Sequence, residues 1–231
     1  MTTVRIILLE PEKSGNMGAI ARSMRNFDLR ELWIVNPKAS INGDARAYAM
    51  HGLEIIESAR VVATLSEALK EVDIVVGTSS VAARSSSNLS RVSITPQQMA
   101  ERLTGAKGTV GIVFGRESTG LNSRELGACD FTVTIPASPD YNVLNIASAA
   151  TIIFYEIFRN TNGRHIELVS HASKERLLLE FGRLVGKCSL QSHRRALALR
   201  AFRNVVSRSF ISKREASLLL GVLRKTNSKL V

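Results

Sequence analysis

A chain of 231 residues with 45% hydrophobic content can bury a sizeable core as one or two domains, and no apolar run approaches the length of a transmembrane helix. Two distant cysteines, Cys129 and Cys188, and four scattered histidines exclude a disulfide framework and a zinc pattern, so no metal is expected and a reducing, cytoplasmic compartment is the natural reading. The net charge of +11 is localised: residues 1–164 hold 17 Lys/Arg against 16 Asp/Glu, whereas residues 165–231 hold 14 against 4.

The first part alternates between two periods. "VRIILLE" (4–10) is short and β-branched, a strand rather than a secretory signal. "NMGAIARSMRNF" (16–27) places Met17, Ile20, Ala21, Met24 and Phe27 on one helical face, with Arg22 and Arg25 off it. "LWIV" (32–35) is a second strand, stopped by Asn36-Pro37. Helices are expected over 43–50 and 65–72, and a third strand over 73–77. "TPQQMAERL" (95–103) opens with Thr95 as cap, Pro96 at the first position and Gln98 reaching back. A strand at 109–115, a helix opened by Asn122 with Glu125 three residues on, a strand at 131–136 and a helix at 144–158 complete the series. Strands alternating with helices predict an α/β domain on a mainly parallel sheet.

The tail changes period. Residues 174–186, 193–208 and 213–225 read as three amphipathic helices. The third has a Ser212–Glu215 capping box and an apolar face of Ala216, Leu219, Leu220 and Leu223. The division is therefore a domain at 1–164 and a basic helical extension at 165–231, Arg164–Ser173 being the linker. The tail's charge suits a polyanion, with nucleic acid favoured over a plain solvated surface.

In open α/β sheets ligands collect beyond the carboxyl ends of the strands. "GIVFGRESTGLN" (111–122) has Gly115 and Gly120 spaced as in a phosphate-binding loop, but Leu121 stands where that loop needs lysine and Glu117 would repel phosphates. Triphosphate binding is thus excluded. Two readings remain: a main-chain cradle for a flat, uncharged group such as adenine, or a pair of tight turns.

Three motifs in order resemble the SPOUT-class RNA 2′-O-ribose methyltransferases, of the TrmJ type that acts on tRNA. They are "GNMGAIARSMRNF" with Asn16 and Arg22, "VFGRESTGLNSREL" with Gly115, Glu117 and Gly120, and "IPASPDYNVLNIASAATIIFYEI" with Tyr141, Leu144 and Asn145. Together they span residues 4–160; the tail matches by pattern and charge only. The resemblance implies a trefoil-knotted α/β fold, a homodimer, and S-adenosylmethionine held by Thr78, Ser79, Ser80, Gly115, Ile135, Asn142, Val143 and Leu144. The third motif departs from the Tyr-Ser-Ser-Leu-Asn form of bacterial relatives, having Asn142 and Val143 in place of the serines.

The same resemblance implies catalytic roles for Arg22, Asn16, Glu117, Tyr141 and Asn145. A guanidinium is effectively always protonated, so Arg22 is better cast as a clamp on an RNA phosphate beside a developing oxyanion than as a base. Asn16 orients the ribose or caps its helix; Glu117 holds Arg22, holds the substrate or is an exposed turn acid. Arg84, Arg194 and Arg195 are candidate RNA contacts. The implied activity is 2′-O-methylation of tRNA at anticodon-loop position 32, cytidine or uridine. The alternatives are ribosomal RNA, another tRNA position, a non-catalytic RNA-binding protein on the same scaffold, or DNA binding through the tail.

Overall fold

Apolar runs too short for a helix form strands, and the longer periodic ones form helices that cover them. The protein is seen in a computed structural model that describes residues 2–80, 93–160, 166–167, 169–209 and 211–230. Its first half contains β1 (Thr2–Leu9), α1 (Ser14–Asn26), β2 (Glu31–Val35), α2 (Gly43–Ala49), a 3₁₀ turn at Met50–Gly52, α3 (Leu53–Glu57), β3 (Arg60–Val62), α4 (Leu65–Ala68) and β4 (Ile74–Thr78). Then come β5 (Ser93–Ile94), α5 (Pro96–Leu103), β6 (Ala106–Phe114), α6 (Ser123–Gly127), β7 (Phe131–Val133), α7 (Ile146–Arg159) and β8 (Ile166–Glu167). Three helices close the chain: α8 (His171–Lys187), α9 (Ser192–Arg208) and α10 (Lys213–Lys229).

The sheet runs β3-β2-β1-β6-β4-β7-β5 with every pairing parallel, and β8 joins the start of β6. The expected α/β class with a helical extension is what the chain adopts. Alternate residues of each strand point to opposite faces, so the sheet has two cores. Ile6, Leu8, Ile34, Ile112 and Phe114 meet Met17, Ile20 and Met24 of α1 and Phe154 of α7 on one side. Ile7, Leu9, Trp33, Val35, Val75 and Val113 meet Ala68 and Leu121 on the other. α1 and α2 approach so closely that a Cβ on Gly18 would lie 2.0 Å from the Ala45 carbonyl oxygen. Arg5 is the buried cation of the second face: Nε donates to Glu31 (2.8 Å), Nη1 to the carbonyls of Ala68 (2.8 Å) and Lys70 (2.7 Å), and the guanidinium lies over the Trp33 ring.

Several boundaries differ from expectation for local reasons. The helix expected over 65–72 stops at Ala68, because Glu71 takes a left-handed φ of 60° that turns Val72 into the core. The helix expected from 144 starts at Ile146, because Asn145 caps it, its Oδ1 accepting from Ala147 N. The strands β3, β5 and β8 are two or three residues long, too short for a period to show.

α8, α9 and α10 enclose a third core of Val169, Leu177, Val206, Ile211 and Ala216, with Phe181 stacked on Phe202. Leu220 and Leu223 pack against it; Leu219, expected on that face, is exposed. The tail is fastened to the sheet by a buried cation. Lys174 Nζ donates to the Asp73 carbonyl (3.1 Å) and lies 3.5 Å from Asp130 Oδ1, whose other oxygen accepts Val75 N (2.8 Å).

The two side chains of that pair are only 3% and 6% exposed, so removing one strands the other's charge. Lys174→Ala is expected to lower the unfolding free energy in urea by about 3 kcal/mol. Lys174→Ala with Asp130→Asn, which keeps an acceptor for Val75, should recover part of the loss. A single-variant loss below about 1 kcal/mol, in the range of an exposed ion pair, would contradict a buried fastening.

Candidate active site

The parallel order sets the ends of β4, β6 and β7 side by side, with β1 next to β6. Gly115 ends β6 at a point where the chain closes on itself: a Cβ there would sit 2.3 Å from the Gly120 carbonyl carbon. Gly120 has φ +66°, and its N–H donates to Arg116 O (2.9 Å). Leu121, in the place of the missing lysine, is buried in the second core. The loop is therefore built from main chain and packing.

Arg116, to which the sequence reading assigns no role, organises the rim. Nε donates to Glu10 Oε2 (2.9 Å), and Nη1 and Nη2 donate to the two oxygens of Glu125 (3.0 and 2.8 Å). Its guanidinium holds both carboxyls below the usual range, helped by Asn36 at Glu10 and by the Asn122 N–H at Glu125. The two acids bind in turn by raising the Arg116 pKa. Only the alternating charges of Arg116-Glu117 hinted at this, because Glu10 meets Arg116 through a sheet neighbour 106 residues away.

Glu117 binds the start of α1. Its carboxylate accepts the backbone N–H of Glu12 (2.8 Å) and Lys13 (3.2 Å) and the side-chain amide of Asn16 (3.0 Å). Lys13 is the N-cap and makes no side-chain cap bond, so an acid from a distant loop satisfies N–H groups at this end. Glu12 answers by accepting Ser118 N (3.0 Å) and Ser118 Oγ (2.6 Å). Asn16 Oδ1 accepts Asn145 Nδ2 (3.2 Å), and Asn145 caps α7. Two of the open readings are thereby corrected. Asn16 lies inside α1 and caps nothing, and Glu117 grips backbone and Asn16 rather than Arg22.

The structure thus joins Glu117, Asn16 and Asn145 in one hydrogen-bonded chain. It leaves Arg22 exposed, six residues or about 9 Å further along α1, with no hydrogen bond or ion pair among the described residues. Tyr141 is 79% exposed; its N–H donates to Ser138 O. Arg194 and Arg195 stand on α9, and Arg84 lies outside the described residues.

The residues expected to hold the cofactor lie on the neighbouring chain ends after β4, β6 and β7. Thr78 Oγ1 donates to Val113 O (3.1 Å), Ser79 N to Val133 O (3.0 Å), and Asn142 Nδ2 to Ser80 O (3.1 Å), which ties the third loop to the first. Ile135 is half-buried against the first core, whereas Val143 and Leu144 leave apolar surface open. The donor set is neutral and largely main chain, and the nearby Arg116 is fully engaged by carboxylates. These residues fit a nucleoside carrying no phosphate, as S-adenosylmethionine is, and do not fit a nucleotide.

Residues 3–155 match the SpoU rRNA Methylase family. The tRNA (cytidine-2′-O-)-methyltransferase TrmJ of Methanocaldococcus jannaschii is 37% identical over 227 residues, covering 96% of this chain and 98% of that protein. Among solved structures, TrmJ from Z. mobilis ZM4 superposes with a TM-score of 0.70 at 27% identity, over 97% of this chain and 99% of that one. The SpoU methyltransferase AviRb from Streptomyces viridochromogenes, solved in complex with AdoMet, shares the fold at a TM-score of 0.53 and 21% identity, over 68% of this chain and 60% of that one.

The Arg116 cluster has a pH signature. Carboxyls depressed in the folded state contribute stability above their unfolded pKa, about 4.3, and lose it as the pH falls through the folded value. Arg116→Met should therefore lower Tm most at pH 7, and the gap to the parent protein should narrow as the pH is taken to about 3. A gap independent of pH would show that Arg116 acts through packing alone.

Proposed function

The chain belongs to the SpoU rRNA Methylase family, and on that premise we propose anticodon-loop position 32 of tRNA, carrying cytidine or uridine, as the ribose it methylates. It is an S-adenosylmethionine-dependent RNA 2′-O-methyltransferase, in keeping with the family match and with the named tRNA 2′-O-methyltransferase similar to it over most of both chains. The observation that carries the site assignment is the chain Glu117–Asn16–Asn145, which fixes the α1 end beside the cofactor loops and leaves Arg22 free of protein partners among the described residues.

When bound, S-adenosylmethionine supplies an electrophilic methyl on a sulfonium with a neutral leaving group. Thr78–Ser80, Gly115, Ile135 and Asn142–Leu144 would hold it by main chain and apolar surface. Asn16 and Asn145 face each other across α1 and α7 and orient the ribose. Glu117 is a positioning residue, since its carboxylate is occupied by the Glu12 and Lys13 amides. Arg22 clamps an RNA phosphate so that its charge offsets the oxyanion forming at the 2′-oxygen, and that phosphate or water takes the proton. Orientation then supplies much of the rate.

The working form is a homodimer, and this rests on an uncovered apolar face. Phe27 of α1 contacts Tyr155 and Phe158 of α7, and Ile152, Tyr155 and Phe158 remain exposed on that face. The basic extension, residues 165–231, supplies RNA affinity, with Arg194 and Arg195 of α9 as contacts and Arg84 of the first part as another. The compartment is the cytoplasm, where tRNA is modified. No described helix is long and apolar enough to cross a membrane.

Arg22→Ala should abolish most methyl transfer to tRNA while S-adenosylmethionine affinity, read by calorimetry, stays unchanged. Near-parental activity would remove Arg22 from the mechanism. A second test concerns the division of labour. A chain ending at Arg164 should fold and bind the cofactor, since Asp130 then meets water instead of Lys174. Each phosphate contact contributes roughly 0.9 to the salt slope, so the shortened chain should bind tRNA more weakly and with a shallower slope. Equal affinity and slope would make the tail's charge a solvated surface only.

A further inference from the structure

A groove of about 1090 Å³ runs between the catalytic sheet and the tail, larger than a small-molecule site of roughly 300–1,000 Å³. Its walls come from the carboxyl ends of β1 and β2 at one end, α4 and α6 along one side, and α8 and α9 along the other. The charges in it do not cancel in place. Every acid lining it has a cation partner: Asp130 with Lys174, Glu175 with Arg203, and Glu10 and Glu125 with Arg116. Three of its cations have none. Lys70, Arg124 and Arg200, from α4's end, α6 and α9, are exposed and make no ion pair among the described residues. Two of them belong to the catalytic domain and one to the tail, so the unneutralised charge faces the groove from both walls.

Solvated surface cations normally scatter; here they converge on a concave track whose near end is Glu10 and Asn36, on the rim where Glu117 meets α1. Point charges without fixed acceptors suit a ligand that presents anions at intervals rather than one small anion. We propose that this groove seats a stretch of the substrate RNA's sugar–phosphate backbone, with Lys70, Arg124 and Arg200 meeting successive phosphates between the tail and the reaction rim. The proposal rests on the chain being a tRNA methyltransferase and adds which surface steers the substrate. The apolar wall of Leu65, Leu69 and Leu126 gives the sugar and base faces a dry side without reading sequence. The contacts are therefore positioning contacts, indifferent to base identity.

The test is tRNA binding by the full-length protein across several salt concentrations, with methylation kinetics. The triple variant Lys70→Ala/Arg124→Ala/Arg200→Ala should weaken tRNA binding at least tenfold and lower the salt slope by roughly 2, at about 0.7–0.9 per contact. KM for tRNA should rise with kcat at saturation nearly kept, and cofactor affinity should be unchanged. The double variant Arg124→Lys/Arg200→Lys, with Lys70 kept, should retain the parental slope, because charge and not fork geometry is needed. Arg46→Ala/Arg102→Ala/Lys107→Ala, three exposed cations outside the groove, is the comparison for an equal loss of charge. If the triple variant binds tRNA with the parental slope, or no more weakly than that comparison, the groove is not the RNA track while the enzyme assignment stands. If the parent protein neither binds nor methylates tRNA, both fall.

Discussion

The carboxylate of Glu117 is the interaction on which the reactive rim depends. A parallel sheet must change direction outside its carboxyl edge, and the irregular backbone there has amide groups to satisfy. α1 starts with no cap of its own, so Glu117, carried by the loop after β6, accepts the Glu12 and Lys13 amides. A negative charge at a helix start contributes about 1 kcal/mol in such settings. The positional effect is larger in consequence. The same oxygens hold Asn16, Asn16 holds Asn145, and Asn145 starts α7, so loops separated by more than a hundred residues share one hydrogen-bonded line. Arg116 braces the line from below by taking Glu10 and Glu125.

Much of this was legible in the sequence, for a reason that also marks the limit. Period-2 and period-3.6 patterns announced β1, β2, β4, β6, α1, α7 and the three tail helices, and the capping boxes at Thr95, Asn122 and Ser212 form as read. Those signals are local. The role of Glu117 was open between three readings because its partners lie 101 to 105 residues away. Arg116 went unnoticed although Gly120 and Glu125 are only four and nine residues on, because they meet it only when the glycine loop closes, and Glu10, 106 residues away, only when β1 pairs with β6. The groove was invisible too: tail charge could be counted, but which cations stay unpaired is decided by docking of α8 through Lys174.

The distribution of charge follows the distribution of tasks. The first part is nearly neutral in sum, and four of its acids, Glu10, Glu12, Glu117 and Glu125, are bonded into the rim, where they fix geometry. The tail needs few acids because its core is apolar, and Glu180 and Glu175 are each taken up by neighbouring arginines. Cations beyond those pairs are available to a polyanion, and one buried lysine is spent on attachment instead.

A loop built from main chain and packing distributes mutational risk unevenly. Near Gly115, the exposed side chain of Thr119 can drift with little effect on the shape of the turn. Gly115 cannot: any side chain would overlap the Gly120–Leu121 peptide, whatever its polarity. All nineteen substitutions would set a Cβ against that same peptide, so what the loop requires at this position is an absence of atoms rather than a functional group.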